Sequence, residues 1–298
     1  MSRWPEPLAR AYASCERLAQ SHYENFPVAS RLLPRPMRPH IAAVYAFARG
    51  ADDIADEGTA TAAERQERLG AWQRRLHAAA AADLGVGASA SGEDQVFVAL
   101  GHTIRSLDLP LPLFDDLLSA FGQDTMTHRY ASWRDLLDYC RRSAHPVGRL
   151  VLRIAGYRDE ALDRSSDALC TALQLTNFWQ DLGCDWRAGR LYVPREVLEA
   201  TGAREEDLNG TNLPPAWTRA MDACVDMTVA RYVEGRAVCD GIRGRLRYEL
   251  RLTWLGGRRI LDRVRAEPGR LLQHRPILGA RDVATLAWRF STWRGVAA

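Results

Sequence analysis

The chain contains no lysine; all 40 of its Lys-plus-Arg positions are arginine. That absence excludes Schiff-base enzymes, lysine-anchored pyridoxal chemistry and a Walker A loop, each of which needs an ε-ammonium. Long hydrophobic runs are absent too. The longest, residues 41–48, is eight residues, against roughly 20 for a membrane-spanning helix. No C-x-x-C pair occurs among Cys15, Cys140, Cys170, Cys184, Cys224 and Cys239, and no H-E-x-x-H among the seven histidines. Both absences argue against zinc. The opening Met-Ser-Arg-Trp-Pro-Glu-Pro has no apolar leader core. A cytoplasmic protein with reduced thiols is therefore expected. Alternating β-branched runs are nearly missing, so strands are not expected.

What remains is a helical pattern. With 298 residues, 47% apolar and 26% charged, the composition is that of a globular protein. Windows 63–82, 115–129, 132–142, 165–181 and 218–235 are rich in Ala, Leu, Arg and Glu, with apolar residues three and four apart. Residues 185–194 read as a helix end followed by a loop, and 83–92 as a flexible connection. No repeat of fixed period is present. An all-α fold in one domain over residues 1–298 is expected.

Two segments carry the chemistry. On a helical projection Tyr45, Arg49, Asp52 and Asp56 fall within an arc of about 60°. Val44, Phe47, Ala51, Ile54 and Ala55 form a separate apolar face. Gln174, Asn177, Asp181 and Asp185 share a second arc of roughly 80° on a helix with apolar flanks. Like charges four residues apart repel by a few tenths of a kcal/mol, about 0.2–0.5. A helix chosen for stability alone would avoid them. Four carboxylates on two such stripes call for cations, and hard divalent ions prefer oxygen. A glycosidase needs one acid and one base, not four acids and an asparagine. The pattern points to Mg²⁺ and a diphosphate in a helical bundle.

With these residues in place the chain resembles the squalene and phytoene synthases, the head-to-head prenyl synthases. The resemblance is carried by the two D-x-x-x-D segments, by Ser21-His-Tyr-Glu-Asn-Phe-Pro-Val-Ala-Ser-Arg-Leu-Leu-Pro34, and by Ala43-Val-Tyr-Ala-Phe-Ala-Arg49. Tyr139-Cys140 and Gly189-Arg-Leu-Tyr-Val-Pro194 add to it. It fades after about Arg275. Many relatives carry diphosphate-contacting serines where this chain has Tyr23 and Asn25. That departure, with Asn177-Phe-Trp-Gln-Asp181, is similar to the hydroxysqualene synthase branch of hopanoid biosynthesis, which works downstream of a separate presqualene diphosphate synthase.

The resemblance implies an isoprenoid synthase bundle with a central active-site cavity. Asp52, Asp56, Asp181 and Asp185, with Asn177, would bind Mg²⁺. Arg49, Gln174, Asn25 and, allowing one gap, Arg275 would contact the diphosphate. Tyr45 would lie near it. Tyr23, Phe26 and Phe178 would line the substrate pocket, with Phe26, Tyr45 and Phe178 as candidates to face a carbocation. The implied reaction ionises presqualene diphosphate, rearranges the cation and captures one water, giving hydroxysqualene without NADPH. Candidates for orienting that water are Tyr23, Asn25 and His145. The alternatives are a presqualene diphosphate or squalene synthase, or a phytoene synthase, condensing two prenyl diphosphates. A helical scaffold that had lost the chemistry would be expected to have lost the aspartates.

Charge is uneven. Residues 231–275 hold 12 arginines against five acids. With no accompanying motif, nucleic acid is not the expected partner. Contact with anionic phosphate or lipid headgroups is the alternative to a merely solvated face. Trp288, Phe290 and Trp293 stand among Arg281, Arg289 and Arg294, a composition suited either to resting on anionic lipid at an inner membrane face or to a packed terminal helix.

Overall fold

The computed structural model describes residues 4–21, 32–82 and 92–293. These form thirteen α-helices, two short 3-10 turns and no strand, so the all-α expectation holds. The only β-type pairing among them is an isolated parallel bridge between Arg129 and Leu191. Two compact units are formed, one from residues 1–126 and 146–158, the other from 127–145 and 159–298.

The first unit contains α1 (Glu6–Ser21), α2 (Arg38–Asp56), α3 (Ala62–Ala81), α4 (Gly92–Leu107) and α5 (Leu111–Asp124), with nearly all of α7 (His145–Ile154). Helix α2 is its axis, packing on α1, α3, α4 and α5. The apolar face read from the sequence is the buried one: Val44, Phe47, Ala51 and Ala55 lie inside, with Ile54 half-buried. Phe47 meets Phe114, Phe97 and Trp72 at centroid distances of 5.6, 6.2 and 6.0 Å. A fully buried aromatic of this size stabilises by about 1.5–3 kcal/mol. Gly50 has a packing reason. A Cβ there would stand 2.7 Å from the Trp72 ring, so only glycine lets α3 approach this closely.

The second unit contains α6 (Trp133–Ser143), α8 (Glu160–Gln180), α9 (Leu182–Arg187), α10 (Arg195–Thr201), α11 (Pro215–Gly241), α12 (Gly244–Ala266) and α13 (Ala280–Ser291). Helices α8, α11 and α12 pack mutually and form its centre. Its buried indoles are all satisfied. Trp179 Nε1 donates to Thr228 Oγ1 at 2.8 Å, Trp254 Nε1 to the Tyr232 carbonyl at 3.0 Å, and Trp217 Nε1 to the Arg204 carbonyl at 2.9 Å. Burial pushes the Tyr232 phenol up, so it is a neutral partner for Thr176, 3.1 Å away.

Two expected boundaries shift. The helix expected over 115–129 is α5, which ends at Asp124. Thr125 and Met126 form a turn, and the helix does not resume because the His128 and Tyr130 carbonyls accept the Leu191 and Arg195 amides, each at 3.0 Å. The helix expected over 165–181 begins earlier, at Glu160, and ends at Gln180; the helix end and loop expected over 185–194 are present, with α9 ending at Arg187 and the loop beginning at Ala188. The expected connection at 83–92 lies outside the described residues except for Gly92, which opens α4.

Helix α13 is anchored by one carboxylate. Asp282 accepts from the Gly279 amide at 2.7 Å and pairs with Arg259 and Arg263, both at 2.7 Å. The Gly279 hydrogen bond first, and the two guanidiniums after it, hold this carboxyl down at about 2, against an ordinary 3.8. Its contribution is therefore complete above the ordinary value and is lost as pH falls from about 4 towards 2. Hydrogen exchange in α13 is expected to accelerate over that window, and Asp282→Asn to show the fast exchange already at pH 7.

The closest approach of α8 and α11 sets a second expectation. A Cβ on Gly235 would lie 2.5 Å from the Leu169 backbone nitrogen. Gly235→Ala is expected to cost about 1–3 kcal/mol in a urea melt. Gly70, in α3, meets nothing nearer than an Arg74 nitrogen at 3.6 Å. Gly70→Ala is expected to stabilise by up to about 1 kcal/mol.

Candidate active site

In the first unit the acidic turn is the C-terminal end of α2. Arg49 leans along the helix. Its Nη2 lies 2.7 Å from Asp53 and 2.9 Å from Glu57, and its Nη1 lies 3.6 Å from Asp52. Tyr45, Arg49 and Asp52 are half-exposed and Asp56 exposed, on the stripe read from the sequence. The Tyr45 hydroxyl is pushed up, first by burial and then by Asp52 and Asp53 against the opposing pull of Arg49. It therefore stays protonated at neutral pH and can donate to an anion. The helix end is gripped by Arg65 of α3. Its guanidinium donates to the carbonyls of Ala55, Gly58 (3.0 Å) and Ala60 (3.0 Å). Carbonyls that α2 leaves without intrahelical donors are thus satisfied, and the turn carrying Asp52 and Asp56 is fixed. The loop between them closes through Gly58 at φ +79° and the Thr61–Glu64 capping box of α3.

In the second unit the acidic segment spans a one-residue break. Asp181 stands between α8 and α9 at φ −96°, ψ 9°, and its amide still donates to the Asn177 carbonyl at 2.9 Å. Asp181 pairs with Arg275 through both carboxylate oxygens, the second at 3.2 Å. Asp185 is buried and accepts from Arg190 at 3.2 Å. Gln174 and Asn177 are half-buried on the preceding turns of α8. Residues 271–276 are clamped over the break. Gln180 Nε2 donates to the Pro276 carbonyl at 2.5 Å and Arg187 Nη1 to the Leu272 carbonyl at 3.0 Å. At Gly183 a Cβ would come within 2.6 Å of the Leu272 carbonyl oxygen. The clamp is what delivers Arg275 to Asp181. Cys184, between the two aspartates, is exposed.

The pocket candidates divide. Phe178 is buried and stacked on Tyr192, centroids 3.7 Å apart and planes 6° apart, within an aromatic group that includes Tyr139. Tyr23, Asn25 and Phe26 lie outside the described residues. His145 Nε2 is 2.8 Å from Thr171 Oγ1 and its Nδ1 3.6 Å from Asp167, so its ring is directed onto α8. The sequence reading missed Arg65 and Arg190. Neither has a helical-stripe signature, since Arg65 acts on the helix before its own and Arg190 lies in the loop after α9. The Arg49–Asp53 pair was legible as an i, i+4 spacing.

Among the described residues no group of three His, Cys, Asp or Glu side chains is gathered to hold a metal ion by itself. The donors at both segments are carboxylates and a carboxamide, all offering oxygen. Such a set fits a hard ion that keeps part of its shell for water and substrate phosphate.

A family model described as squalene/phytoene synthase matches residues 19–282. A hydroxysqualene synthase of Zymomonas mobilis is 41% identical over 186 residues, which is 62% of this chain and 59% of that protein. Another from Rhodopseudomonas palustris is 36% identical over 222 residues, covering 74% of this chain and 72% of the relative. The match thus spans about three fifths of the Zymomonas protein's length. A crystal structure described as squalene synthase HpnC, from Alicyclobacillus acidocaldarius, aligns with a TM-score of 0.80 at 41% identity. It covers 88% of this chain and 96% of that one.

The clamp over the α8–α9 break generates its own expectation. Gly183→Ala has to displace residues 271–276, and with them Arg275. Turnover is expected to fall at least about tenfold, the effect of a misplaced charged group, while far-UV circular dichroism stays unchanged.

Proposed function

The chain belongs to the squalene/phytoene synthase family, and from that premise we propose that it converts presqualene diphosphate to hydroxysqualene, as the hydroxysqualene synthase of hopanoid biosynthesis. The observation that carries this is the likeness to relatives bearing that name, in a chain whose family match over residues 19–282 takes in both acidic segments. The proposal treats residues 1–298 as one synthase domain.

Arg49 and Arg275 would bind that diphosphate, exchanging their present carboxylate partners for it, with Gln174 and Asn25 as further contacts. Protonated Tyr45 would donate a hydrogen bond to the leaving oxygen. Asp52, Asp56, Asp181 and Asp185, with the Asn177 side-chain oxygen, would hold Mg²⁺, which when bound supplies positive charge at the leaving group. Fixed positive charge lets the C–O bond break with its electron pair leaving on the diphosphate. The cyclopropylcarbinyl cation rearranges in an apolar pocket to which Tyr23, Phe26 and Phe178 would contribute. One water adds its oxygen to the cation and gives up a proton. No NADPH is used. The enzyme would take its substrate from a separate presqualene diphosphate synthase and work in the cytoplasm, at the inner face of a membrane.

A second reading, squalene formation, is favoured by the likeness to the squalene synthase structure from Alicyclobacillus. One assay separates the two. Purified protein with presqualene diphosphate and Mg²⁺, without NADPH, is expected to give hydroxysqualene by mass spectrometry. Squalene appearing only with NADPH would move the chain to the reductive branch, and turnover of farnesyl or geranylgeranyl diphosphate alone would replace the substrate. Asp52→Asn and Asp181→Asn are each expected to lower turnover by about a hundredfold or more. Full activity in both would remove the two-segment site.

A further inference from the structure

The second unit leaves one helix face without a partner. On α13 the side turned to α12 is occupied: Asp282 holds Arg259 and Arg263, and Phe290 lies 5.8 Å from Tyr248. The opposite side is apolar and exposed. Val283 and Trp288 are each 65% exposed, on a stripe with Ala280, Ala284 and Ala287. Ile277 and Leu278, just before the helix, are 59% and 42% exposed. Aliphatic side chains and one indole on a helix stripe form the apolar half of an interfacial helix. In a soluble monomer such a patch is unfavourable unless something covers it.

Charge identifies the cover. Five residues beyond Trp288, the Trp293 ring lies between two guanidiniums. Arg236 and Arg251 stand 4.7 and 5.0 Å from its centroid. With Arg247 and Asp240 they line a cavity of about 390 Å³. Asp240 accepts from Arg251 at 2.6 Å and from Trp293 Nε1 at 2.8 Å. Arg236 donates to the Trp293 carbonyl at 2.7 Å and Arg247 Nε to the Ile242 carbonyl at 2.5 Å. Three guanidiniums against one carboxylate leave this cavity net positive, and the 231–275 stretch around it carries the arginine excess of the whole chain. An apolar helix face beside a net-positive, arginine-lined cavity matches a bilayer that presents acyl chains and phosphate together.

We propose that α13 and the Arg236–Arg247–Arg251 cavity form a docking surface for anionic phospholipid. The Val283–Trp288 face enters the interface and the cavity takes a headgroup phosphate. This deepens the membrane-facing part of the function proposed above and rests on that reading for its purpose. Binding itself does not depend on which product the enzyme makes.

The test is flotation of the full chain with vesicles of phosphatidylcholine alone or mixed with phosphatidylglycerol. Co-flotation is expected with the anionic vesicles at low salt, declining at high salt. The double variant Val283→Asp/Trp288→Ser is expected to lose at least about tenfold in partitioning, and Arg247→Gln to lose most of the preference for phosphatidylglycerol. Turnover of detergent-dispersed substrate should stay at the wild-type level in both variants, which marks the defect as docking rather than folding or chemistry. Wild-type protein that stays with the dense fraction, or variants that float like wild type, would overturn the proposal. So would displacement by inorganic phosphate at matched ionic strength, which would make the cavity a site for free anions. A dimer in sedimentation velocity that the double variant dissolves would also overturn it, since a second copy would then cover the face. A negative product assay with intact flotation would overturn the enzymatic reading and leave the docking surface standing.

Discussion

Carboxylates one helical turn apart repel, and in this chain arginine offsets that repulsion wherever the aspartates cluster. Arg49 spans Asp52, Asp53 and Glu57 at the end of α2. Arg275 holds Asp181, and Arg190 holds Asp185. Each pair is at least partly open to water, so its worth in stability is small. Its worth in placement is larger. A planar guanidinium opposite a carboxylate fixes the direction of both groups, and the same guanidinium can turn to a phosphate when one is present. Each acidic turn is thereby held in place by its own arginine.

The scaffolding around the turns serves the same end. Arg65 reaches from α3 to the last carbonyls of α2, and residues 271–276 reach across the α8–α9 break. In both cases a segment outside the helix finishes its end, the next helix for α2 and a stretch distant in sequence for the α8–α9 break. Gly183 and Gly50 permit the closest of these approaches, and a methyl group at either would meet backbone or an indole ring.

Periodicity made the helices and the α2 stripe legible. Val44, Phe47, Ala51 and Ala55 repeat at helical spacing, and a helix buries the residues that repeat. The same logic failed at 125–129, where the His128 carbonyl is taken by the Leu191 amide and the adjoining Tyr130 carbonyl by that of Arg195, each more than sixty residues on. Nor did it show the one-residue break at Asp181, because a single turn after such a break has no periodicity to display. The acidic pairs were readable because like charges at i, i+4 are unfavourable without a use. The 271–276 clamp was not readable, because a contact across the chain leaves no pattern within it, and Arg65 and Arg190 were not, because each reaches back across a turn at a separation no helical period covers.

The position of Cys184 gives the site a chemical handle. Burial pushes the thiols of Cys15 and Cys239 up to about 12 and those of Cys140 and Cys224 up as well, and Cys170 is half-covered. Cys184 alone of the six is exposed, and it sits between the two aspartates of the α8–α9 break. A maleimide therefore meets one ready sulfur on this chain, at the mouth of the acidic turn. A fluorophore placed there would sense the turn filling and emptying with no engineered residue.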